Sequence, residues 1–332
     1  MATLGGSVLT LTDWAKRLDP NGKVDKTVEI LSQTNEVLDD MMFKEGNLPT
    51  GERTSIRTGL PTTYWRAINQ GIPSSKSTTA QVDESCAMLA AYSEVDADLA
   101  ELNGNVNQFR LNEAQAFLES MNQEMASTLF YGSAANPEEF VGFANRYNDL
   151  SANNAQNIID AGGTQSDNSS IWLVGWGQNS VHGIFPKGSK AGISHQDKGL
   201  VTLETTAGVA GNRMEAYRDY WVWKSGLVVK DWRYTVRIAN VDISTLIADT
   251  DGSTFNLIEL MLKAIHRLPS ISNVKPVFYA NRTIAQMLDI QAMNKSNLQL
   301  TAGMEEGKRK ISLRGIPIRT VDALTETEAR VV

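Results

Sequence analysis

One long helical pattern, from Asn105 to Gly132, constrains the fold of this chain most strongly. Apolar side chains recur there at intervals of three and four residues, with amide and acidic side chains between them. Asn105 or Asn107 is suited to cap the start, Gly132 to end the helix in a left-handed conformation, and Pro137 prevents continuation. The apolar positions are Ala114, Leu118, Met121, Met125 and Leu129. The pattern predicts one amphipathic helix that spans a small domain.

The composition predicts a globular protein and argues against several functional classes. The chain has 332 residues, 42% hydrophobic and 21% charged, which is enough to bury the core of one or two domains. A formal net charge of -7 and the lack of a lysine or arginine cluster argue against direct binding of nucleic acid. Cys86 is the only cysteine, so no internal disulfide can form, and no signal or membrane-spanning pattern is present. These features predict a soluble protein made in a cytoplasm.

Two short helices are predicted within residues 1–48, over 13–18 and 25–43, with the turn Asp19-Pro20-Asn21-Gly22 between them. The apolar positions of the second helix form only an approximate stripe. A short, isolated helix needs a surface to pack on, because its own hydrogen bonds do not stabilise it sufficiently in water. That surface belongs either to this chain or to another subunit.

Residues 49–84 carry no helical or packed-strand pattern and are predicted to form a long hairpin. Glycine and proline punctuate this stretch, and polar residues fill most of the space between. Residues 53–58 fit one strand and residues 82–95 the returning strand, although the alternation in 82–95 also fits a helix. The tip carries Tyr64 and Trp65, an aromatic pair on a loop that cannot form its own core. We interpret it as a binding element, with a flexible linker as the alternative.

Strands are predicted in the second half of the chain. Residues 171–174 fit a buried strand, and residues 217–243 hold the densest aromatic patch. Ser225-Gly226 separates two strand-like runs and predicts a hairpin there. The aromatic side chains suit either packing across a sheet or stacking on sugar rings.

The last eighty residues predict an α/β layer. A helix over 254–268 is stopped by Pro269, a strand over 277–279 leads into a helix capped by Asn281, and residues 311–321 form a kinked strand pair. His266 lies in the last turn of the first helix, where a cation complements the helix dipole.

No constellation of catalytic or metal-binding residues is recognisable. His182, His195 and His266 fit no zinc spacing, and the pair of His195 with Asp197 lacks a third ligand. Cys86 has no neighbouring histidine or cationic cluster that would activate it. No nucleophile elbow, phosphate loop or dinucleotide fingerprint occurs. The sequence therefore predicts a binding or structural protein without enzymatic activity, cofactor or metal.

Several longer runs resemble the major capsid proteins of tailed bacteriophages, in particular those of short-tailed phages. They are Asn122-Gln123-Glu124-Met125-Ala126 with Phe130-Tyr131-Gly132, residues 174–193, residues 226–241, residues 275–288, and Leu313-Arg314-Gly315-Ile316-Pro317-Ile318. The order of an arm, a long hairpin, a long helix, a β-rich region and an α/β region is similar as well.

The resemblance implies an α+β capsid fold. It divides the chain into an extended N-terminal arm (1–48), a long β-hairpin E-loop (49–96), a β-rich P-domain (97–250) with its spine helix (105–132), and an α/β A-domain (251–332). The order of these segments in space is left open.

The resemblance also implies a structural role in the virion. Pentamers and hexamers of the chain would close into an icosahedral shell around double-stranded DNA, without contacts specific for DNA sequence and without a membrane. Portal, scaffolding and cement or decoration proteins are the implied partners, and the host cytoplasm is the implied place of assembly. The alternative is a carbohydrate-binding or glycan-processing protein that uses the aromatic residues of 217–234.

Six residues of the hairpin are the predicted intersubunit contacts. Some members of this group crosslink a loop lysine to a neighbour, but Lys76 is the only lysine in residues 49–96 and no acceptor for it is recognisable. The candidates are Tyr64, Trp65, Arg66, Arg53, Arg57 and Lys76.

Overall fold

The computed structural model describes residues 32–102, 105–204, 213–249, 252–253, 255–294, 300–305 and 308–332. The predicted helix over 13–18 lies outside these residues, as does the first part of the predicted helix over 25–43. The first described segment contains helix α1 (Val37–Asp40), strands β1 (Phe43–Glu45), β2 (Gly51–Gly59), β3 (Thr78–Ser85) and β4 (Ala87–Asp96), and helix α2 (Ala97–Glu101). Residues 82–95 are therefore almost entirely strand, and the helical alternative for them is wrong. The predicted returning strand over 82–95 is also wrong in its bounds, because only 82–85 belong to β3, which pairs with β2, whereas β4 belongs to the large sheet.

The long helix predicted from the sequence is present as α3 (Val106–Tyr131). The side chain of Asn105 accepts a backbone N–H bond from the first turn and caps the helix. At the other end, the N–H of Gly132 donates to the carbonyl of Thr128. The prediction of a left-handed Gly132 is wrong, since its φ is -47°. Glycine is needed there because a Cβ atom would lie 2.2 Å from the carbonyl oxygen of Phe140, in the segment that folds back over the helix end.

Twelve strands of the described chain form one sheet, and β1 and β4 are two of them. The other ten are β5 (Ile158–Asp160), β6 (Asn168–Trp176), β7 (Val181–Phe185), β8 (Ile193–Glu204), β9 (Arg213–Val229), β10 (Thr235–Asp242), β11 (Lys275–Ala280), β12 (Leu300–Glu305), β13 (Lys308–Leu313) and β14 (Ile316–Thr320). The main order is β12-β13-β14-β11-β6-β7-β9-β4, with β1 beside β7, β8 beside β9, and β10 between β6 and β5. All residues of β6 are buried, so β6 is the central strand.

The two faces of the sheet bury two apolar clusters, because neighbouring residues of β6 point to opposite sides. The remaining helices are α4 (Phe143–Arg146), α5 (Ile243–Ala248), α6 (Leu257–Arg267) and α7 (Arg282–Asn294). Ile171 and Leu173 belong to the cluster that includes apolar residues of α5, α6 and α7. Trp172 and Val174 belong to the cluster on the side of α3 and α4. Among the described residues, no helix is both long and apolar enough to cross a membrane.

The predicted hairpin at Ser225-Gly226 is wrong, because β9 runs through this dipeptide as one strand of 17 residues. Its first part pairs with β4 and β8, and its last part pairs with β7. A Cβ atom on Gly226 would lie 2.6 Å from the carbonyl oxygen of Ser85. This glycine therefore permits close approach of the chain between β3 and β4. The glycine that suggested a turn in the sequence is required by this close approach and not by a turn.

The described part of the predicted helix over 25–43 is also largely strand or irregular. Only α1 is helical, and β1 pairs in parallel with β7, with Phe43 opposite Gly183. A Cβ atom on Gly183 would lie 2.4 Å from the Met41 side chain, so this glycine makes room for the arm on the sheet.

The C-terminal predictions agree closely with the structure. Helix α6 covers most of the predicted 254–268, and the side chain of Asn281 accepts the N–H of Thr283 at the start of α7. Strands β13 and β14 meet at a tight turn in which Arg314 and Gly315 both have positive φ. Strand β11 pairs with both β14 and β6, so the segment after residue 250 shares its sheet with the segment before it. The domain boundary at residue 250 remains a prediction.

Candidate intersubunit surface

The hairpin of β2 and β3 projects from the large sheet as a separate two-stranded sheet. Its strands are antiparallel, with Thr54 opposite Val82 and Arg57 opposite Thr79. Between β2 and β3 the chain forms an irregular tip, residues 60–77, which contains one backbone hydrogen bond, from the N–H of Gln70 to the carbonyl of Ala67, and two bonds from side chains. Arg66 Nε donates to the carbonyl of Gln70 at 2.9 Å, and Ser75 Oγ donates to that of Thr62 at 2.8 Å. An isolated two-stranded hairpin is only marginally stable in water, so the tip needs other contacts to become rigid.

The tip exposes large apolar side chains. Trp65 has a relative exposure of 104% and Ile68 one of 90%. Leu60, Tyr64 and Ile72 are exposed as well. Soluble monomers seldom expose a group of large apolar side chains, and such groups mark sites of protein interaction. The tip therefore has the character of a binding surface that is uncovered in the single chain.

The tip and the neighbouring parts of β2 and β3 carry positive charge only. From Thr54 to Val82 the sequence contains Arg57, Arg66 and Lys76 but no aspartate or glutamate. The chain as a whole has a net charge of -7, so the residues outside this segment carry -10. The segment from Thr54 to Val82 is thus complementary in charge to the rest of the molecule.

The root of the hairpin is fixed by a buried ionic cluster. Glu52 of β2 accepts a bond from Lys230 Nζ at 2.7 Å and lies 3.2 Å from Nε2 of the fully buried His182. Burial raises the pKa of Glu52, but the hydrogen bonds from Lys230 and His182 outweigh it and hold the pKa below its usual value. Burial lowers the pKa of His182 below its usual value, against the effect of Glu52. The ring is therefore neutral at pH 7 and donates its Nε2 hydrogen to the carboxylate.

A second ion pair holds the other strand of the hairpin. Glu84 of β3 accepts two bonds from the guanidinium of Arg146, at 2.6 and 2.7 Å, and both side chains are largely buried. A fork of this kind fixes direction as well as distance. Arg146 is the last residue of α4, so its pair with Glu84 ties the root to this helix. The guanidinium also donates to the carbonyl of Val141. The hairpin is therefore firmly oriented at its base and uncovered at its end.

The six predicted contact residues all lie on the hairpin, but the structure gives them different surroundings. Tyr64, Trp65 and Arg66 lie together in the tip, where they are accessible, and Arg57 and Lys76 are exposed near its ends. Arg53 forms an exposed ion pair with Asp83 within the hairpin, at 2.6 Å. An exposed pair of this kind contributes little to stability. The role of the six residues as subunit contacts remains a prediction.

Sequence reasoning missed the residues at the root of the hairpin. Glu84 and Arg146 are 62 positions apart, and Glu52 and His182 are 130 apart. No local pattern marks such pairs, because each residue alone resembles an ordinary surface charge. Only the pairing of β2 and β3 and the folding of the sheet bring them together.

The aromatic residues of the second half pack across strands. Tyr92 of β4 and Tyr220 of β9 stack with ring centroids 4.7 Å apart, and His195 of β8 stacks on Trp221 at 4.1 Å. In each pair one ring packs on the ring of the neighbouring strand, as expected for cross-strand pairs. The alternative interpretation, a sugar-binding surface, receives no support from this arrangement.

The potentially reactive side chains do not form a common centre. His182 is bound at the hairpin root, His195 lies 2.8 Å from Asp219, and His266 lies beside Arg314. Burial and the nearby Glu52 carboxylate raise the pKa of the Cys86 thiol to about 11, which keeps it unreactive at neutral pH. Within the described ranges, no group of three histidine, cysteine, aspartate or glutamate side chains is arranged to hold a metal ion.

Comparisons with known proteins agree with this picture of a structural subunit. The sequence model of the family described as Major capsid protein GP7 matches residues 19–332. A chain from the structure of bacteriophage Epsilon15 is 33% identical with a TM-score of 0.80, and the alignment covers 100% of this chain and 99% of that chain. A chain of the bacteriophage JBD30 capsid is 7% identical with a TM-score of 0.48, and the alignment covers 89% and 92% of the two chains. No curated protein matches the sequence.

Proposed function

Since the chain belongs to the Major capsid protein GP7 family, we propose that it assembles into pentamers and hexamers, which close into an icosahedral shell around double-stranded DNA. Its role is that of a structural subunit of a phage capsid, not of an enzyme. The resemblance to tailed-phage capsid proteins and the α+β fold predicted from it are confirmed by the family match and by the similarity to the Epsilon15 chain. The carbohydrate-binding alternative has no support.

The observation that carries the assembly proposal is the hairpin with its rigid root and uncovered tip. Fixing the backbone of a residue costs about 1–2 kcal/mol, and the tip has too few contacts within its own chain to offset this. A neighbouring subunit offsets the cost when it covers Trp65 and the apolar side chains around it. In a closed ring each subunit gives one such contact and receives one, so the tip becomes ordered in every copy.

The division of the chain into an N-terminal arm, an E-loop, a P-domain and an A-domain is part of the proposal. Its segments are 1–48, 49–96, 97–250 and 251–332. The hairpin of β2 and β3 supplies the E-loop, and α3 supplies the spine helix. The six hairpin residues predicted from the sequence are the proposed contacts between neighbouring E-loops and subunits.

The proposed partners follow from the role in the virion. The shell is the expected location of the mature protein, and the host cytoplasm is where it assembles. We expect portal, scaffolding and cement or decoration proteins to bind it. We also expect packaged DNA to be enclosed without recognition of its sequence, because the net charge is -7 and no basic patch was recognisable in the sequence.

The direct test is to express the chain in bacteria, sediment the lysate through a gradient, and image the fractions by negative-stain electron microscopy. We expect rings of five or six subunits, or closed particles. A protein that stays monomeric or dimeric at high concentration would contradict the proposal. A chain with Trp65→Ala retains the root of the hairpin and loses the largest exposed side chain, so we expect it to fold and to form fewer rings and particles.

A further inference from the structure

A groove lies between β4, α3 and the loop that follows α3, and its chemistry is complementary to that of the hairpin tip. Its floor is apolar and includes Met88, Met125 and Phe140. Its rim carries the exposed carboxylates of Glu124 and Glu138. The groove has a volume of about 190 Å³.

The two rim carboxylates are available to an external cation. Neither Glu124 nor Glu138 forms a hydrogen bond or ion pair with another described residue. The third carboxylate of the rim is different, because Glu139 accepts bonds from the backbone of Ser133 and the side chain of Asn136. Two free negative charges beside an apolar floor fit a partner that presents a cation next to an apolar side chain.

The size and softness of the floor suit an aromatic ring. An engineered apolar cavity of about 150 Å³ in another protein binds benzene, so this groove can take at least one ring. Methionine side chains adapt their shape and make favourable contacts with aromatic rings. Met88 is 57% exposed, which is unusual for a large apolar side chain and leaves it accessible for such a contact.

We propose that the groove receives Trp65 from a second copy of this chain, with Arg66 lying against Glu124 and Glu138. This inference rests on the proposed assembly and identifies the surface that covers the tip. The segment from Thr54 to Val82 carries three positive charges and no negative one, and Trp65 is its most exposed aromatic side chain. The indole ring of Trp65 suits the apolar floor of the groove, and the guanidinium of the adjacent Arg66 suits its acidic rim.

The tip cannot fill the groove of its own subunit while the hairpin is intact. Strand β3 spans eight residues between the tip and the end of the hairpin that adjoins β4, where the groove begins. At about 3.3 Å per residue this strand alone separates the two by roughly 25 Å. The ion pair of Glu84 and Arg146 fixes the root of the hairpin and so prevents the strands from turning back on the groove. The occupant is therefore a neighbouring copy.

Reversal of charge tests the pairing. We expect Arg66→Glu to reduce the yield of sedimenting particles at least about tenfold, and Glu124→Arg or Glu138→Arg to reduce it similarly. Combining Arg66→Glu with one of the two rim substitutions should restore the yield to within about threefold of the wild type. Asp98→Arg is the matched control, because it reverses an exposed charge on α2 that does not line the groove. Failure of both rim substitutions to restore particles, or restoration by Asp98→Arg, would overturn the proposal.

Crosslinking tests proximity directly, and the double variant removes one positive and one negative charge, so the net charge of the chain stays the same. In a Cys86→Ala background, a chain that carries both Arg66→Cys and Glu138→Cys should be crosslinked between chains when assembled particles are treated with a short bis-maleimide reagent. A spacer is needed because the Cα atoms of a paired arginine and glutamate lie farther apart than the about 4.4–6.8 Å that a disulfide spans. A non-reducing gel should then show covalent multimers, and each single cysteine variant should remain monomeric. Particles that yield only monomers, or a crosslink within one chain, would contradict the inference while leaving shell formation intact. Absence of particles from the wild-type chain would instead contradict the proposed function.

Discussion

Shortening the hairpin should separate the stability of the subunit from its ability to assemble. Ser55 and Gln81 lie opposite each other in the register of β2 and β3. Replacing residues 56–80 by Asn-Gly would join them through a two-residue turn whose twist matches that of paired strands. The variant keeps Glu52 and Glu84, the two carboxylates that anchor the hairpin root.

The expected loss of stability is small because the removed residues are hardly buried. Every residue from Leu60 to Ala80 is exposed, and Ile56 and Gly59 are the removed positions with partial burial. At about 25 cal/mol per Å² of apolar surface, so little burial changes the free energy of unfolding by no more than about 1 kcal/mol. Glu84→Ala provides the contrast, since it leaves the largely buried guanidinium of Arg146 unpaired. Such a loss typically costs about 3–5 kcal/mol.

Two measurements on the same proteins test the reasoning. Urea unfolding of dissociated subunits, followed by tryptophan fluorescence, gives the free energy of unfolding, and six of the seven tryptophans remain after the loss of Trp65. Sedimentation and electron microscopy report assembly. We expect the shortened chain to unfold almost like the wild type and to form no shells. Shells of normal yield would show that the tip is dispensable for assembly. A decrease of more than about 2 kcal/mol in the free energy of unfolding would show that the tip belongs to the subunit core.

Acidification should destabilise the subunit, because the lowered pKa of His182 makes the folded chain bind fewer protons than the unfolded chain below about pH 6.5. The free energy of unfolding should therefore fall from that pH toward the lowered pKa, and His182→Gln should flatten this dependence in urea titrations; an unchanged slope would refute it. Glu52, whose pKa is also lowered, adds stability that is lost only below about pH 4.5. Glu328 pairs with the buried guanidinium of Arg237 at 2.7 Å, so Glu328→Ala should cost about 3–5 kcal/mol because it leaves that charge unpaired. Arg282 is an exposed partner of Asp322, so Arg282→Ala should cost less than about 1 kcal/mol. Equal losses in thermal or urea unfolding would contradict that ranking. In gel-shift assays the subunits should bind duplex DNA weakly, without sequence preference and with a steep loss in salt, and sequence-specific retention at physiological salt would argue against this.

Sequence patterns predicted the elements whose signals are local. The cap at Asn105 and the spacing of apolar residues identified α3, and Asn281 identified the start of α7. Local patterns also identified the hairpin of β2 and β3, because glycine, proline and polar residues exclude other structures there. The exposed pair of Tyr64 and Trp65 was recognisable for the same reason.

The predictions from two glycines were wrong, because tertiary contacts and not the local backbone conformation require glycine at these positions. Gly132 and Gly226 looked like a helix end and a turn, but each lies where another segment leaves no room for a side chain. Backbone freedom and close approach both select glycine, so the sequence alone does not separate the two causes.

The sequence by itself determined that the chain forms a long helix, a polar projecting hairpin and a protein without a recognisable catalytic motif, because these follow from the order of side chains along one segment. The tertiary structure alone decided that Glu52 meets His182 and Lys230, that Glu84 meets Arg146, and that an acidic apolar groove forms beside α3. These features join residues far apart in the chain, and their energies depend on burial and distance, which exist only after the sheet has closed.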